Sequence, residues 1–420
     1  MKKIIIVFLI IFIVGCNKTA QENNGKVLSE YEKLLDSVQE TAFIDSFTIY
    51  GRYFNLTGYL EKDVSNLSLV LKNEDIEEEY ELILENTDSK TSFQTTELIN
   101  QGINLEKITS GNYIIFLKEI TDDKTSYYTL ENATNYTNLD YYTITKDDKN
   151  QKIDIAFDKI NDKNFLYLKA NVEKLPEDIY DIVIDPGHGG IDVGANKNGY
   201  FESNINLEYA LLLEEKLTDL GLKVKLTRQT DESIDNYGSE GRVSVPYETK
   251  AKLMLSIHMN SSLYNVGAGG VEIYVPNHAD ITFAKNLAEE IVSNTSTNYS
   301  ANVSNKISSG VYLRTLSEAD LEDIRESALE EGYEPYEKAT LDSTYYYIIR
   351  ETGGIVTSAY VDSRNKEKEW NHYYASNHGC EAYLLELGYM NSSSNLDILL
   401  TEKDEYVNAI VSSVREYLEI

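Results

Sequence analysis

Hydrophobic positions along the chain change their spacing near residue 175. Between 43 and 174 they form short runs rich in β-branched and aromatic residues, at 47–50, 67–71, 80–84, 113–117, 127–130, 153–157 and 165–168. Clusters of Asn, Asp, Gly and Ser separate these runs, which predicts antiparallel strands and an all-β sandwich of immunoglobulin-like type over 43–174. From 180 to 420, strand-like runs alternate with helical spacing. Ile182, Val183 and Ile184 form the first run; Leu207, Ala210, Leu213, Leu217 and Leu220 then share a helical face, with Gly221 as its stop. Leu253, Leu255 and Ile257 follow, then Phe283, Leu287 and Ile291 on a helix over about 280–293, and a last helix over 402–418. This alternation predicts an α/β catalytic domain with a mostly parallel sheet flanked by helices. The stretch 175–178, with Pro176, is the expected boundary between the two.

The chain opens with Lys2 and Lys3, an apolar run over 4–14, then Gly15 and Cys16. That run is too short to span a bilayer comfortably and predicts an export signal over 1–15. A polar tether and a short helix, with Val27, Tyr31, Leu34, Leu35 and Val38 on one face, are expected over 16–42. The formal net charge of -32 over 420 residues disfavours a nucleic-acid partner, which would require a basic face. Of the two cysteines, Cys380 sits before a strand and reads as a small buried residue.

The candidate chemistry lies at strand ends. The run Ile182 to Ile184 enters Asp185, Pro186, Gly187, His188, Gly189 and Gly190, a tight loop that presents one imidazole. His188 can be a metal ligand or a hydrogen-bonded turn histidine. Glu202 follows before a helix, and His258 ends the Leu253 to Ile257 run. Two histidines and one carboxylate make a catalytic zinc set with a position left for water. Glu202 could instead complement the helix dipole, with Glu208 as the reserve ligand. Glu386, at the end of an apolar run, is the candidate general base, and Glu381 the alternative that points differently along the strand. Arg228 can position an anionic part of a substrate or pair with a carboxylate. Asn260 can orient a substrate or hold its loop. His278, His372 and His378 read as loop or surface residues.

The blocks IDPGHGG, GYFESNINL, KLTRQTDES, LSIHMNSS, GGVEIYVPN and LLELGYMNSSSN occur in this order from 180 onward. In that order they resemble the zinc-dependent N-acetylmuramoyl-L-alanine amidases of the amidase 3 type, which cleave peptidoglycan. The resemblance implies Zn2+ held by His188, Glu202 and His258, and hydrolysis of the amide between N-acetylmuramic acid and L-alanine. The chain departs from the family pattern over 241–247, where members usually carry a helix after the arginine equivalent to Arg242. Residues 13–16 resemble a bacterial lipoprotein box, which implies a lipid on Cys16 and a membrane-anchored protein facing the wall. The β domain could be a spacer, a wall-binding module or a docking surface for a regulatory protein. Two insertions are expected: an acidic one near 316–343, read as a solvated helix or as a gate over the zinc, and a Tyr/Asn-rich one near 350–379. A zinc peptidase acting on the stem peptide and a non-catalytic wall-binding lipoprotein are the alternative readings. The second of these predicts loss of a ligand or of Glu386, and all four residues are present.

Overall fold

The computed structural model describes residues 40–420 apart from 88, 123, 134–137, 146–149, 161–162, 237–240, 263–268, 331–339 and 354–377. The export signal, Cys16, the tether, the helix expected around 27–38 and His372 lie outside the described residues, as do parts of both insertions.

The N-terminal strands build a sheet that forks at Gly111–Ile120. The first half of that strand pairs with Lys163–Val172 and the second half with Thr125–Asn132, while Leu67–Lys72 lies along its other side. One arm continues through Gln151–Ile160 to Asn138–Tyr142; the other runs through Glu40–Tyr50 and Tyr53–Leu60 to Lys90–Gln94. Both arms fill one core, with Phe47, Ile49 and Leu56 from one and Ile153, Ile155 and Leu168 from the other. Tyr53–Leu60, a strand not among the runs read from the sequence, alternates strictly between half-buried and buried residues. Two details differ from expectation. The run 80–84 is not one strand: the chain breaks at Leu82, with Glu77–Glu81 on Leu67–Lys72 and Ile83–Thr87 on Lys90–Gln94. Both pieces are largely exposed, so no buried face imposes one continuous register. Glu40–Tyr50 also pairs parallel, not antiparallel, with Thr125–Asn132.

The C-terminal sheet has seven strands among the described residues, in the order Val224–Leu226, Ile182–Pro186, Leu253–Asn260, Glu381–Tyr389, Glu272–Tyr274, Val311–Tyr312 and Lys306–Ser308. The first four are mutually parallel, and Glu272–Tyr274 runs antiparallel to its neighbour Glu381–Tyr389. Helices Glu202–Asp219, Thr282–Asn294 and Lys403–Leu418 cover one face, burying Ile184, Leu255 and Leu385. Burial on both faces is why these strands read as near-continuous apolar runs. The first helix buries Ile205, Tyr209, Leu213 and Leu217, whereas Leu220 is exposed beyond its end. It begins at Glu202 itself, with Phe201 at the cap position. Over 241–247 the backbone carries one short helix, Val245–Glu248, with Pro246 in its first turn. No described helix is long and apolar enough to cross a membrane.

The two sheets meet through both backbone and side chains. His378–Gly379 pairs parallel with Ile49 and Tyr50, directly before the Glu381–Tyr389 strand. Asn100 donates to Glu381 Oε1 at 2.8 Å and to the Asp280 carbonyl at 3.0 Å, and accepts from the Asp280 amide at 2.6 Å. Lys250 pairs with Asp140 at 2.8 Å.

Candidate metal centre and its cleft

Asp185, Ser256, Leu384 and Tyr274 share a row across four neighbouring strands, and the next positions up put His258, Glu386 and Glu272 side by side. Parallel register between His258 and Glu386 turns both side chains to one sheet face, at the carboxyl ends of their strands. Functional groups in open α/β sheets gather at this end.

His188 reaches the same place from the loop after Ile182–Pro186. Its φ is +61°, a left-handed conformation rarely adopted by a residue with a side chain. Such strain persists where surrounding contacts over-determine it. Here Arg242 donates to the His188 carbonyl at 2.5 Å, to the Pro186 carbonyl at 3.0 Å and to Asp185 at 2.5 Å. Asp185 is fully enclosed and also accepts from Thr227 at 2.6 Å and Ser256 at 2.7 Å. Burial pushes its pKa up, yet Arg242 and the two hydroxyls outweigh this and hold the carboxyl below its usual range. Gly187 leaves room for the neighbouring imidazole: a Cβ there would come within 2.2 Å of His258.

Glu202 enters from the first turn of its helix and is 4% exposed. Its Oε1 lies 3.1 Å from His188 Nε2, 3.2 Å from His258 Nδ1 and 3.0 Å from the Met259 amide, and its Oε2 accepts from the Ala195 amide at 2.8 Å. Ligand atoms of His188, Glu202 and His258 all lie within 4.8 Å of one another. A Cβ at Gly194 would approach Glu202 Oε2 and His188 Cδ2 to 2.7 Å each, so the loop wraps the group as closely as glycine permits. Burial disfavours the charged form of Glu202, but the bonds to His188 and His258 win and depress its pKa strongly. On His188, burial is likewise outweighed, by Glu202 and by Asp192, and the pKa is pushed up to about 8. The second ring nitrogen of His188, Nδ1, meets Asp192 Oδ2 at 2.8 Å. Two imidazole nitrogens and a carboxylate oxygen converging on one point fit a divalent metal with a coordination position to spare.

The group opens into a cleft of about 610 Å³ lined by His188, Ile191, Asp192, Ile234, Asn236, Arg242, His258, Tyr346, Tyr347, Ile348, Leu384 and Glu386 among others. Glu386 Oε2 is shielded from solvent and has no hydrogen-bond partner. Burial, reinforced by the charges of Glu202 and Glu272, pushes the Glu386 carboxyl well above the usual carboxylate range.

Other expected residues fall elsewhere. Arg228 is not among the residues lining the cleft: it is 2% exposed and donates to the carbonyls of Pro186, Gly187, Ser203 and Thr230 at 2.7–3.0 Å. It clamps the His188 loop because these carbonyls, not a carboxylate, converge on it. Asn260 does not line the cleft; it donates to Glu272 at 3.3 Å. Glu381 is buried among Asn100, Tyr383 and Tyr417 at the far end of the strand from Glu386, and Glu208 pairs with Lys403 on the surface. His278 pairs with Asp342 outside the cleft, and Cys380 is buried. No described residue of the acidic helix Glu318–Glu330 lines the cleft. Tyr346, Tyr347 and Ile348 line the cleft just before the Tyr/Asn-rich stretch 350–379, of which 354–377 lie outside the described residues. Asp192, Arg242 and Tyr346 were not singled out as site residues from the sequence. For Asp192 a signal existed, a carboxylate four residues after the loop histidine.

A family model described as N-acetylmuramoyl-L-alanine amidase matches residues 182–416. Among curated proteins, the chain is 36% identical over 122 residues to the N-acetylmuramoyl-L-alanine amidase LytC of Bacillus subtilis (strain 168), covering 29% of this chain and 24% of that protein. It is 35% identical over 111 residues to the N-acetylmuramoyl-L-alanine amidase AmiA of Escherichia coli (strain K12), covering 26% of this chain and 37% of that one. The chain thus spans about a quarter to a half of the length of the curated relatives it matches. Among solved structures, the catalytic domain of CwlV, an N-acetylmuramoyl-L-alanine amidase from Bacillus (Paenibacillus) polymyxa, is matched at 23% identity over 58% of this chain and 99% of that one, with a TM-score of 0.38. The family match takes in all four residues of the strand-end cluster, His188, Glu202, His258 and Glu386, and this chain belongs to the N-acetylmuramoyl-L-alanine amidase family.

Proposed function

We propose that this chain is a zinc-dependent peptidoglycan hydrolase that cleaves the amide between N-acetylmuramic acid and L-alanine. The observation that carries this reading is the convergence of His188, Glu202 and His258 beside a buried, unpartnered Glu386 oxygen in one cleft. A zinc ion held by these three residues would supply a polarised water and stabilise charge on the substrate carbonyl. Glu386, with its proton affinity raised by burial, takes the proton of the attacking water and returns it to the departing L-alanine amine. Asp192 fixes the ring and tautomer of His188, leaving Nε2 for the metal. Ile191, Ile348 and Leu384 give the cleft apolar walls against which the lactyl-peptide junction can be held away from bulk water.

In this reading, residues 43–174 form a β-sandwich domain and 180–420 the amidase domain. The first fifteen residues are an export signal, and Cys16 carries the lipid that keeps the enzyme at the outer face of the cytoplasmic membrane. Digestion of purified peptidoglycan with the soluble chain, followed by mass spectrometry of the products, tests the bond assignment. Intact glycan strands and free peptides beginning with L-alanine are expected. Cleavage inside the stem peptide would mark a peptidase instead.

A further inference from the structure

Glu272 is completely buried, yet its carboxylate takes four hydrogen bonds from three strands and a loop. Oε1 accepts from Ser300 at 2.6 Å and Tyr389 at 2.5 Å; Oε2 accepts from Tyr274 at 2.8 Å and Asn260 at 3.3 Å. Asn260 lies two residues beyond His258 on one strand, and Tyr389 three residues beyond Glu386 on the next. The ladder between those two strands slips by one residue just there, pairing His258 with Glu386 and then Asn260 with Tyr389. Glu272 itself stands opposite Glu386 in the antiparallel register.

A buried carboxylate is a poor way to stabilise a fold, because its desolvation costs several kcal/mol and an apolar residue of similar size often serves as well. Its donors are also specific. They come from the ends of the strands that carry His258 and Glu386, where backbone pairing alone leaves the spacing loosest. We infer that Glu272 is a positioning residue for the hydrolysis: it ties the ends of these two strands and thereby fixes where Glu386 stands relative to His258. This role rests on the zinc-amidase reading of the site. Glu272 is not among the residues lining the cleft; it acts on the strand ends through Asn260 and Tyr389, beside the effect of its charge on Glu386.

The test compares Glu272→Gln, Glu386→Gln and the double variant, each as the soluble chain. Glutamine keeps the shape but cannot accept from all four donors. In Glu272→Gln, kcat is expected to fall about 10–100-fold with KM little changed, while zinc stoichiometry and cooperative unfolding are retained. In the Glu386→Gln background the same substitution is expected to add almost nothing. Independent losses that multiply in the double variant, or unchanged kcat in Glu272→Gln, would overturn the role. Cobalt(II) substitution gives a readout that does not depend on turnover: the visible bands are expected to shift in Glu272→Gln alone and not further in the double variant. If the unmodified chain binds cobalt but hydrolyses nothing, the amidase reading fails and these bands still decide the positioning role; identical bands in all forms would overturn it. If no metal binds, both fall.

Discussion

His188 Nδ1 and Asp192 Oδ2 lie 2.8 Å apart, four residues along a loop whose φ at His188 is positive. The turn aims Nε2 at Glu202 while holding the other nitrogen. A carboxylate behind a ligating imidazole commonly accounts for about 10–100-fold in metal affinity or activity. Asp192→Ala is therefore expected to weaken zinc binding by about that factor with little loss of fold stability, since Asp192 is exposed. Chelator competition at fixed pH measures it, and unchanged affinity would count against the contact.

The left-handed backbone at His188 separates its two duties. An ordinary residue held there costs about 1–3 kcal/mol. His188→Gly is thus expected to keep or raise the unfolding free energy in the metal-free state while losing bound zinc. Urea denaturation with chelator present reads the first effect and elemental analysis the second. A large destabilisation of the metal-free protein would show that the imidazole holds the loop through packing instead.

Asp185 and Arg242 set the pH response of the loop. The folded pKa of Asp185 is depressed, so its stabilisation is complete above the unfolded value of about 3.9 and is lost as pH falls through the lower folded value. Unfolding free energy is expected to drop below about pH 4, less steeply in Asp185→Asn. At pH 7, Arg242→Met is expected to cost about 3–5 kcal/mol because it leaves a buried carboxylate without its partner. Urea curves across pH check both, and an equal slope in Asp185→Asn would remove Asp185 from the explanation.

Asn100 joins the two sheets by three hydrogen bonds, one of them to Glu381 on the strand that carries Glu386. Asn100→Ala leaves a buried carboxylate oxygen and an amide short of partners and is expected to destabilise the protein by about 1–3 kcal/mol. Parallel pairing of 378–379 with Ile49 and Tyr50 also predicts one cooperative unfolding transition for both sheets. Two separated transitions in the unmodified chain would contradict that coupling.

Much of the strand-end cluster was legible in the sequence because its placement depends on local pattern. Apolar runs ending in His188, His258 or Glu386 announce strands, and the glycines around His188 announce a loop that needs unusual backbone angles. What the sequence hid depends on distant partners. Arg228 displays a charge, but not the four carbonyls that enclose it. Asn100 and Glu381 are 281 residues apart, and no periodicity links them. Glu272 looks like one more strand residue until the register sets it opposite Glu386. The split at Leu82 was missed for the opposite reason: an exposed strand gives alternation little to report.

The most direct test of the whole account is to compare the unmodified soluble chain with Glu386→Ala for zinc content and release of L-alanine amino termini from purified peptidoglycan. Both proteins are predicted to bind one zinc, and the variant to release termini about 10²–10⁴-fold more slowly, the range expected for loss of a general base. Equal rates, or an unmodified protein that binds no zinc and yet hydrolyses the wall, would contradict it.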